Sequence, residues 1–173
     1  MDICRIYADF CMYAVAFLLS FLIFVCELNF AEYMRRPIIN EKLPISESNP
    51  IKARHYDYDR FTYPWHFHSQ YEIIYVKESH GLCFVGDCIE KFSAGDVILF
   101  GTNLPHYMRS NDIYGSENAT SRVQGTIIQF EKDFMHHAFN YYTHFVKIKN
   151  LLEEAQRGIY FPAGCSLRLV DLL

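Results

Sequence analysis

The sequence predicts a mainly β domain of the barrel or sandwich type. Short segments rich in β-branched and aromatic residues follow one another along the chain, separated by turns that contain glycine or asparagine. The 15 Phe and 13 Tyr favour strands over helices. With 173 residues, of which 51% are hydrophobic, the chain can form one domain around a single packed core.

Five strands are predicted in the central part of the chain. They cover residues 71–77, 82–85, 88–92, 96–100 and 123–130. Gly81, Gly86 and Gly95 lie between the first four strands and are expected to supply positive φ angles in turns. If Gly86-Asp87 is a two-residue hairpin loop, residue 85 pairs with 88, 84 with 89, and 83 with 90.

Helical periodicity is found only towards the carboxyl end. Residues 145–157 place four apolar side chains at i, i+3, i+4 and i+7, namely Ile148, Leu151, Leu152 and Ala155. Gly158 follows as a stop signal. This apolar stripe predicts a helix that either packs on the barrel or forms a dimer contact. A second helix is predicted to begin over residues 166–173.

Residues 1–33 form an apolar amino-terminal segment in which residues 10–26 contain a single polar residue, Ser20. This length is the lower limit for a membrane-spanning helix. Two interpretations stay open: a single-pass anchor over residues 10–28, or an extension upstream of a start at Met34. If the segment spans a membrane, Arg35 and Arg36 keep the following domain on the cytoplasmic side. Residues 34–53, which contain three prolines, are expected to be a linker or arm.

Charge and cysteine placement restrict the partners and the compartment. A net charge of −4 without a basic stripe does not favour nucleic-acid binding, so a small molecule or another protein is the expected partner. The hairpin pairing predicted above leaves Cys83 and Cys88 out of register, and the other cysteines lie near the ends of the chain. The cysteines therefore indicate a reducing compartment, and we expect a cytoplasmic location.

The most informative stretch for chemistry begins at Trp65. Side chains of an extended strand alternate between its two faces, so His66 and His68 point to one side and Glu72 joins them if the strand continues. His106, which follows Pro105 after an apolar strand, is a fourth member of the set. Imidazoles and a carboxylate that converge inside a barrel suit a divalent transition metal.

The order of these residues resembles the two sequence motifs of the cupin family. His66-x-His68-x3-Glu72 and a following glycine are similar to the first motif, and Gly95-Asp96, an apolar strand and Pro105-His106 are similar to the second. The resemblance implies a cupin (RmlC-like) jelly-roll β-barrel over residues 54–144. In cupins that hold a metal, the matching positions are His66, His68, Glu72 and His106.

A finer resemblance is to the amino-terminal, ligand-binding domains of AraC-type transcription regulators. It is carried by Trp65-His66-x-His68, the run from Phe92 to His106, and Gln129-Phe130. It implies a small-molecule sensor with a sugar-like or related polar effector, followed by a short α-helical dimerisation element within residues 145–173. Ile148, Leu151, Leu152 and Ala155 are then dimer contacts. The helix-turn-helix part of such regulators is not found in these 173 residues, so we expect no DNA binding by this chain.

Two interpretations of the polar cluster stay open. In the first, His66, His68, Glu72 and His106 line a sensor pocket that requires no cofactor, and no residue is catalytic. Trp65, Tyr75 and Tyr107 then either stack on the ligand or form part of the barrel wall. In the second, a divalent transition metal on the same four residues makes the chain a stand-alone cupin enzyme, such as an isomerase or a dioxygenase.

Overall fold

The computed structural model describes residues 37–111 and 122–165. Apart from Pro37, they belong to one of the two units into which the chain divides, Ile38–Leu173. The apolar segment 1–33, with its predicted anchor over 10–28, and the predicted helix over 166–173 lie outside the described residues. Within the described ranges, no helix is long and apolar enough to cross a membrane.

Two five-stranded sheets form the walls of the barrel, in agreement with the predicted fold class. The first sheet has the order β1 (Ile39–Asn40), β3 (His66–Phe67), β8 (His106–Ser110), β5 (Gly81–Val85) and β6 (Cys88–Phe92). The second has the order β10 (Ile159–Phe161), β7 (Val97–Phe100), β4 (Tyr71–Glu78), β9 (Val123–Phe130) and β2 (Ile51–Tyr58). Neighbouring strands are antiparallel except β1 and β3, which are parallel.

The five predicted strands are confirmed, with ends displaced by at most one residue. The hairpin register is also confirmed, since Val85 pairs with Cys88 across a turn in which Gly86 has a φ of 55°. The expectation of a positive φ holds for Gly86 and Gly95 but is wrong for Gly81, which lies within β5. A Cβ on Gly81 would lie 2.1 Å from the carbonyl oxygen of Arg109, so the close approach of β8 requires glycine there.

The prediction that residues 66–72 form one extended strand is wrong. β3 carries His66 in the first sheet, the chain bends at Ser69 and Gln70, and β4 carries Glu72 in the second sheet. The side chains still converge because the bend is a corner of the barrel, and both sheets present their inner faces to the same interior. His106, the fourth candidate ligand, lies beside His66 because the two residues pair across β3 and β8.

Strands outside the predicted barrel limits complete the two sheets. The segment predicted as a linker contributes β1 and the first residues of β2. The region predicted as helical contributes β10, which pairs with β7. Each of these segments pairs with a strand that is distant in sequence. Such pairing produces no local periodicity from which the strand could be predicted.

The apolar core fills the interior between the sheets. Its fully buried members include Val76 on β4, Phe92 on β6, Phe100 on β7 and Val123 at the start of β9. Aromatic rings extend it towards the rim, where Phe61 packs edge-on against Phe92 with ring centroids 5.8 Å apart. Burial of this apolar surface is the main stabilising contribution to the fold.

The late helix is confirmed but shorter than predicted. The helix α1 covers His136–Tyr141 and α2 covers Val146–Glu154. Turns of 3-10 helix, Thr143–Phe145 and Ala155–Arg157, flank α2 on either side. Gly158 then ends the helical region with a φ of 78°, as the sequence predicts.

The predicted apolar stripe of α2 is divided between two environments. Leu152 and Ala155 are buried with Leu99 on the outer face of the second sheet. Ile148 and Leu151 are 46% and 38% exposed, respectively. Leu152 and Ala155 therefore attach the helix to its own barrel, and only Ile148 and Leu151 of the predicted set are exposed to a partner.

Candidate functional site

Three histidines meet at one end of the barrel interior, and each is oriented by its own backbone. Nδ1 of His66 lies 2.8 Å from the carbonyl oxygen of Pro64, and Nδ1 of His106 lies 2.8 Å from that of Leu104. Nδ1 of His68 lies 3.0 Å from the carbonyl oxygen of Gln70, within the corner between the sheets. A carbonyl oxygen can only accept a hydrogen bond, so each Nδ1 carries a proton, and each Nε2 presents a lone pair when its ring is neutral.

The three imidazoles are close enough to share one ligand. One ring nitrogen from each of His66, His68 and His106 can be chosen so that all lie within 4.8 Å of one another. The Nε2 atoms of His68 and His106 are buried and have no hydrogen-bond partner. Buried polar atoms are normally paired, so these two nitrogen atoms indicate a missing partner.

Glu72 provides a carboxylate between two of these histidines. Its Oε1 lies 3.3 Å from Nε2 of His106 and its Oε2 lies 3.4 Å from Nε2 of His68. Gln129, opposite Glu72 across β4 and β9, donates its side-chain N–H to Oε2. Burial raises the pKa of Glu72, but the close approach of His106 and His68 outweighs burial and holds it well below its usual range.

The histidines differ in their proton affinity. Burial, together with the neighbouring His106, lowers the pKa of His66 to about 4, so this ring is neutral at pH 7. Burial also lowers the pKa of His68, but the adjacent Glu72 carboxylate outweighs this effect and the net shift is upward. The cluster is therefore polarised, with its positive charge favoured on the side that faces Glu72.

These residues fit a divalent transition metal. Metal-binding histidines characteristically donate the second ring N–H to a carbonyl or carboxylate, as all three do here. The unpaired Nε2 atoms and the ionised Glu72 supply nitrogen and oxygen ligands of the type that Mn²⁺, Fe²⁺, Co²⁺, Ni²⁺ and Zn²⁺ accept. The structure places Glu72 beside His68 and His106, and His66 next to His106, so the four residues named as candidate ligands lie close together.

A cavity of about 720 Å³ opens onto this end of the barrel. Its polar floor consists of His66, Glu72, His106 and Gln129, and Ile74, Met108 and Ile127 form apolar walls. The remaining lining residues, most of them polar or charged, are Glu41, Arg54, Asp57, Tyr58, Asp59, Arg60, Phe61, Thr62, Tyr63 and Arg122. This volume lies within the range of about 300–1,000 Å³ typical of small-molecule sites.

Charged side chains at the rim are partly paired with one another. Arg122 donates hydrogen bonds to the carboxylates of both Asp57 and Asp59, and these contacts hold the pKa of Asp57 below its usual value. Arg54 instead donates to the hydroxyl of Tyr58 at 2.6 Å. The rim thus presents both charged and hydrogen-bonding groups to an entering ligand.

The aromatic residues predicted to line the pocket lie elsewhere. Trp65 stacks on Tyr107 with ring centroids 6.5 Å apart and contacts Phe84, on the face of the first sheet that does not carry the histidines. Tyr75 accepts a hydrogen bond from Tyr56 through its backbone carbonyl. Trp65, Tyr75 and Tyr107 are not among the residues that line the cavity, so their placement agrees with the alternative of barrel wall.

Two site residues could not be identified as such from the sequence. In the sequence Gln129 stands out only as part of a family-like dipeptide, although its position on β9 opposite Glu72 makes it a donor to that carboxylate. Glu41 falls within the predicted arm, yet its carboxylate lies 3.6 Å from Nε2 of His66. Nothing in the local sequence marks Glu41, because β1 and β3 bring it to the site.

Comparison with known proteins supports the fold. Residues 55–112 match the family model described as Cupin domain. Together with the two-sheet barrel, this match shows that the chain has the cupin fold: mainly β, with a short helical element. No curated protein sequence matches the chain significantly.

Solved structures that are similar to this chain include two kinds of protein. ToxT from Vibrio cholerae aligns with a TM-score of 0.49 and 12% identity, covering 71% of this chain and 45% of ToxT. A cupin 2 conserved barrel domain protein from Rhodopseudomonas palustris aligns with a TM-score of 0.39 and 17% identity, covering 51% of this chain and 57% of that protein. The chain therefore spans about half the length of these structures.

Proposed function

We propose that the barrel is the ligand-sensing and dimerisation module of an AraC-type transcription regulator, with its effector bound in the cavity above the histidines. The observation that carries this proposal is the combination of an open cavity of about 720 Å³ with the buried, unpaired Nε2 atom of His106 at its floor. A polar effector, such as a sugar or a related metabolite, supplies partners for the floor and the rim while covering the apolar walls. The AraC-type assignment is supported by the motif running from Phe92 to His106.

Effector binding can be tested by thermal shift with a panel of sugars and sugar acids. The matched variants are Thr62→Trp, at an exposed residue that lines the cavity, and Ser69→Trp, at an exposed residue that does not. We expect a compound that stabilises the unmodified chain to lose its thermal shift in Thr62→Trp and to retain it in Ser69→Trp. Only the tryptophan at position 62 narrows the opening of the cavity. Equal stabilisation of both variants would place the compound outside the cavity and contradict the proposal.

Dimerisation is proposed to use the exposed apolar residues of α2. Ile148 and Leu151 expose 46% and 38% of their surface, respectively, on one side of the helix. The double substitution Ile148→Asp/Leu151→Asp should give a monomer by light scattering, because each charge would be buried in the dimer contact. Asn150→Asp, an exposed control on another side of the same helix, should remain dimeric. A dimer that survives the double substitution would exclude this face.

A metal-dependent cupin enzyme is the second proposal, favoured by the convergence of the three histidines. A divalent metal bound to His66, His68, Glu72 and His106 would supply Lewis-acid chemistry to a substrate in the cavity. The chain itself contributes Tyr63 beside the floor, where burial and the nearby Glu41 raise its pKa. Turnover of a metal-loaded sample in isomerase or dioxygenase assays, lost in His106→Ala, would favour this proposal over the sensor.

A further inference from the structure

The amino-terminal arm delivers a second carboxylate to the histidine cluster. Its backbone is fixed beside β3, where the N–H of Ile39 donates to the carbonyl of Trp65 at 3.0 Å and that of Glu41 donates to the carbonyl of Phe67 at 2.9 Å. These two hydrogen bonds bracket His66 in the neighbouring strand. The Glu41 side chain is 21% exposed and lines the same cavity as the histidines.

The contact between Glu41 and His66 is incomplete as it stands. Oε2 of Glu41 lies 3.6 Å from Nε2 of His66, and the Nδ1 proton of His66 is already donated to Pro64. Nε2 is therefore an acceptor, and two acceptors that face each other repel unless a cation lies near both. The neighbouring Glu72 is an anion whose two oxygens lie against His68 and His106, so it supplies no cation at this contact.

We propose that Glu41 is a further ligand of a divalent transition metal bound at the histidine cluster, in addition to His66, His68, Glu72 and His106. The inference rests on the cation-binding capacity of the cluster described above. Three neutral imidazoles and two carboxylates neutralise a +2 ion, whereas Glu72 alone leaves one excess positive charge in a buried site. A mixed nitrogen and oxygen set of this size suits Co²⁺, Fe²⁺ or Mn²⁺.

The proposal makes the arm a part of the metal site rather than a linker. Lys42 follows Glu41 directly and is exposed, so trypsin can report on the arm. Coordination of a metal by Glu41 would restrain the arm against the barrel. Trypsin should therefore cleave after Lys42 more slowly when the metal is present. The rate of cleavage at this residue gives a readout that does not depend on any activity.

The experiment titrates Co²⁺ into the full chain and follows heat, visible absorption and tryptic cleavage after Lys42. The variants are Glu41→Gln and the control Glu47→Gln, at an exposed arm residue that does not line the cavity. We expect Glu41→Gln to raise the Kd for Co²⁺ by about tenfold or more, the range for loss of a group that supports a metal site. We also expect it to change the Co²⁺ absorption spectrum and to remove protection of Lys42, while Glu47→Gln behaves like the unmodified chain.

The outcomes separate this inference from the proposed site. If the unmodified chain binds Co²⁺ and Glu41→Gln binds it with the same Kd and spectrum, Glu41 is not a ligand and only this inference is overturned. If the folded, unmodified chain does not bind Co²⁺, the metal site itself fails and the inference fails with it. Circular dichroism of each variant verifies that loss of binding does not come from unfolding.

Discussion

The two ends of the barrel interior are built from the same strands but have opposite character. On β4 the inward residues change from Glu72 to Ile74 and Val76, and on β8 they change from His106 to Met108. One end therefore contains an ionised carboxylate among imidazoles, and the other is packed mainly with apolar groups. Two residues along a strand separate a region that can bind a ligand from one that stabilises the fold.

The difference lies in how completely each end satisfies its own groups. At the apolar end the buried side chains of Phe92 and Val123 contain no polar atom and need no hydrogen-bond partner. The polar end buries Nε2 atoms of His68 and His106 that have no hydrogen-bond partner. Such atoms lower the stability of the folded state, so their retention indicates a role in binding.

The largest effect on stability is expected from the apolar end. Phe92→Ala should reduce the free energy of unfolding by about 3–5 kcal/mol, because it leaves a cavity in the packed core. The control is Ile89→Ala, on the same strand but at a residue that is 50% exposed. It should reduce the free energy of unfolding much less. Urea denaturation measures both. Similar losses in the two variants would mean that the apolar end is not the main source of stability.

A polar group outside the binding end provides the next comparison. Asp96 is buried, yet its carboxylate accepts hydrogen bonds from the backbone of Ser93 and Ala163 and from the hydroxyl of Tyr160. Asp96→Asn should cost about 1.5–3 kcal/mol, the range for hydrogen bonds to a charged group. It should leave Co²⁺ binding unchanged, as measured by urea denaturation and titration. A change in Co²⁺ affinity would contradict the separation between the two roles.

A smaller loss of stability is expected when the support of Glu72 is removed. Gln129→Met keeps the length of the side chain but removes the donor to Oε2 of Glu72, which should cost about 1–3 kcal/mol in the metal-free protein. Gln156→Met, which removes only an exposed hydrogen bond of 3.4 Å to the hydroxyl of Thr102, should be nearly neutral. The prediction fails if Gln129→Met is as stable as the control, since Glu72 would then not depend on this hydrogen bond.

Much of the secondary structure could be predicted from the sequence because it depends on local sequence patterns. Alternating and β-branched segments mark β4 to β7 and β9, and Gly86-Asp87 determines the hairpin register through the φ of its glycine. The convergence of His66 with His106 could be anticipated from the order of the motifs. These features depend on neighbours in sequence or on the order of two motifs that resemble those of cupins.

The remaining features depend on contacts between distant segments. Glu41 reaches His66 only because β1 pairs with β3, and β10 joins β7 only after α2 has crossed the outer face of the second sheet. The corner at Ser69 and Gln70 lies inside a stretch that reads as continuous strand. The division of α2 into a buried and an exposed side likewise requires the position of Leu99. None of these relations is visible in local periodicity.

The most direct test of the inferred metal site is the metal content of the purified full chain, followed by Co²⁺ titration of any metal-free fraction. This site predicts about one divalent transition metal ion, bound or taken up, for each folded chain, and almost none in the double variant His68→Ala/His106→Ala. A folded chain that contains no metal and takes up no Co²⁺ would contradict it. The unpaired nitrogens at the polar end would then belong to a metal-free ligand pocket.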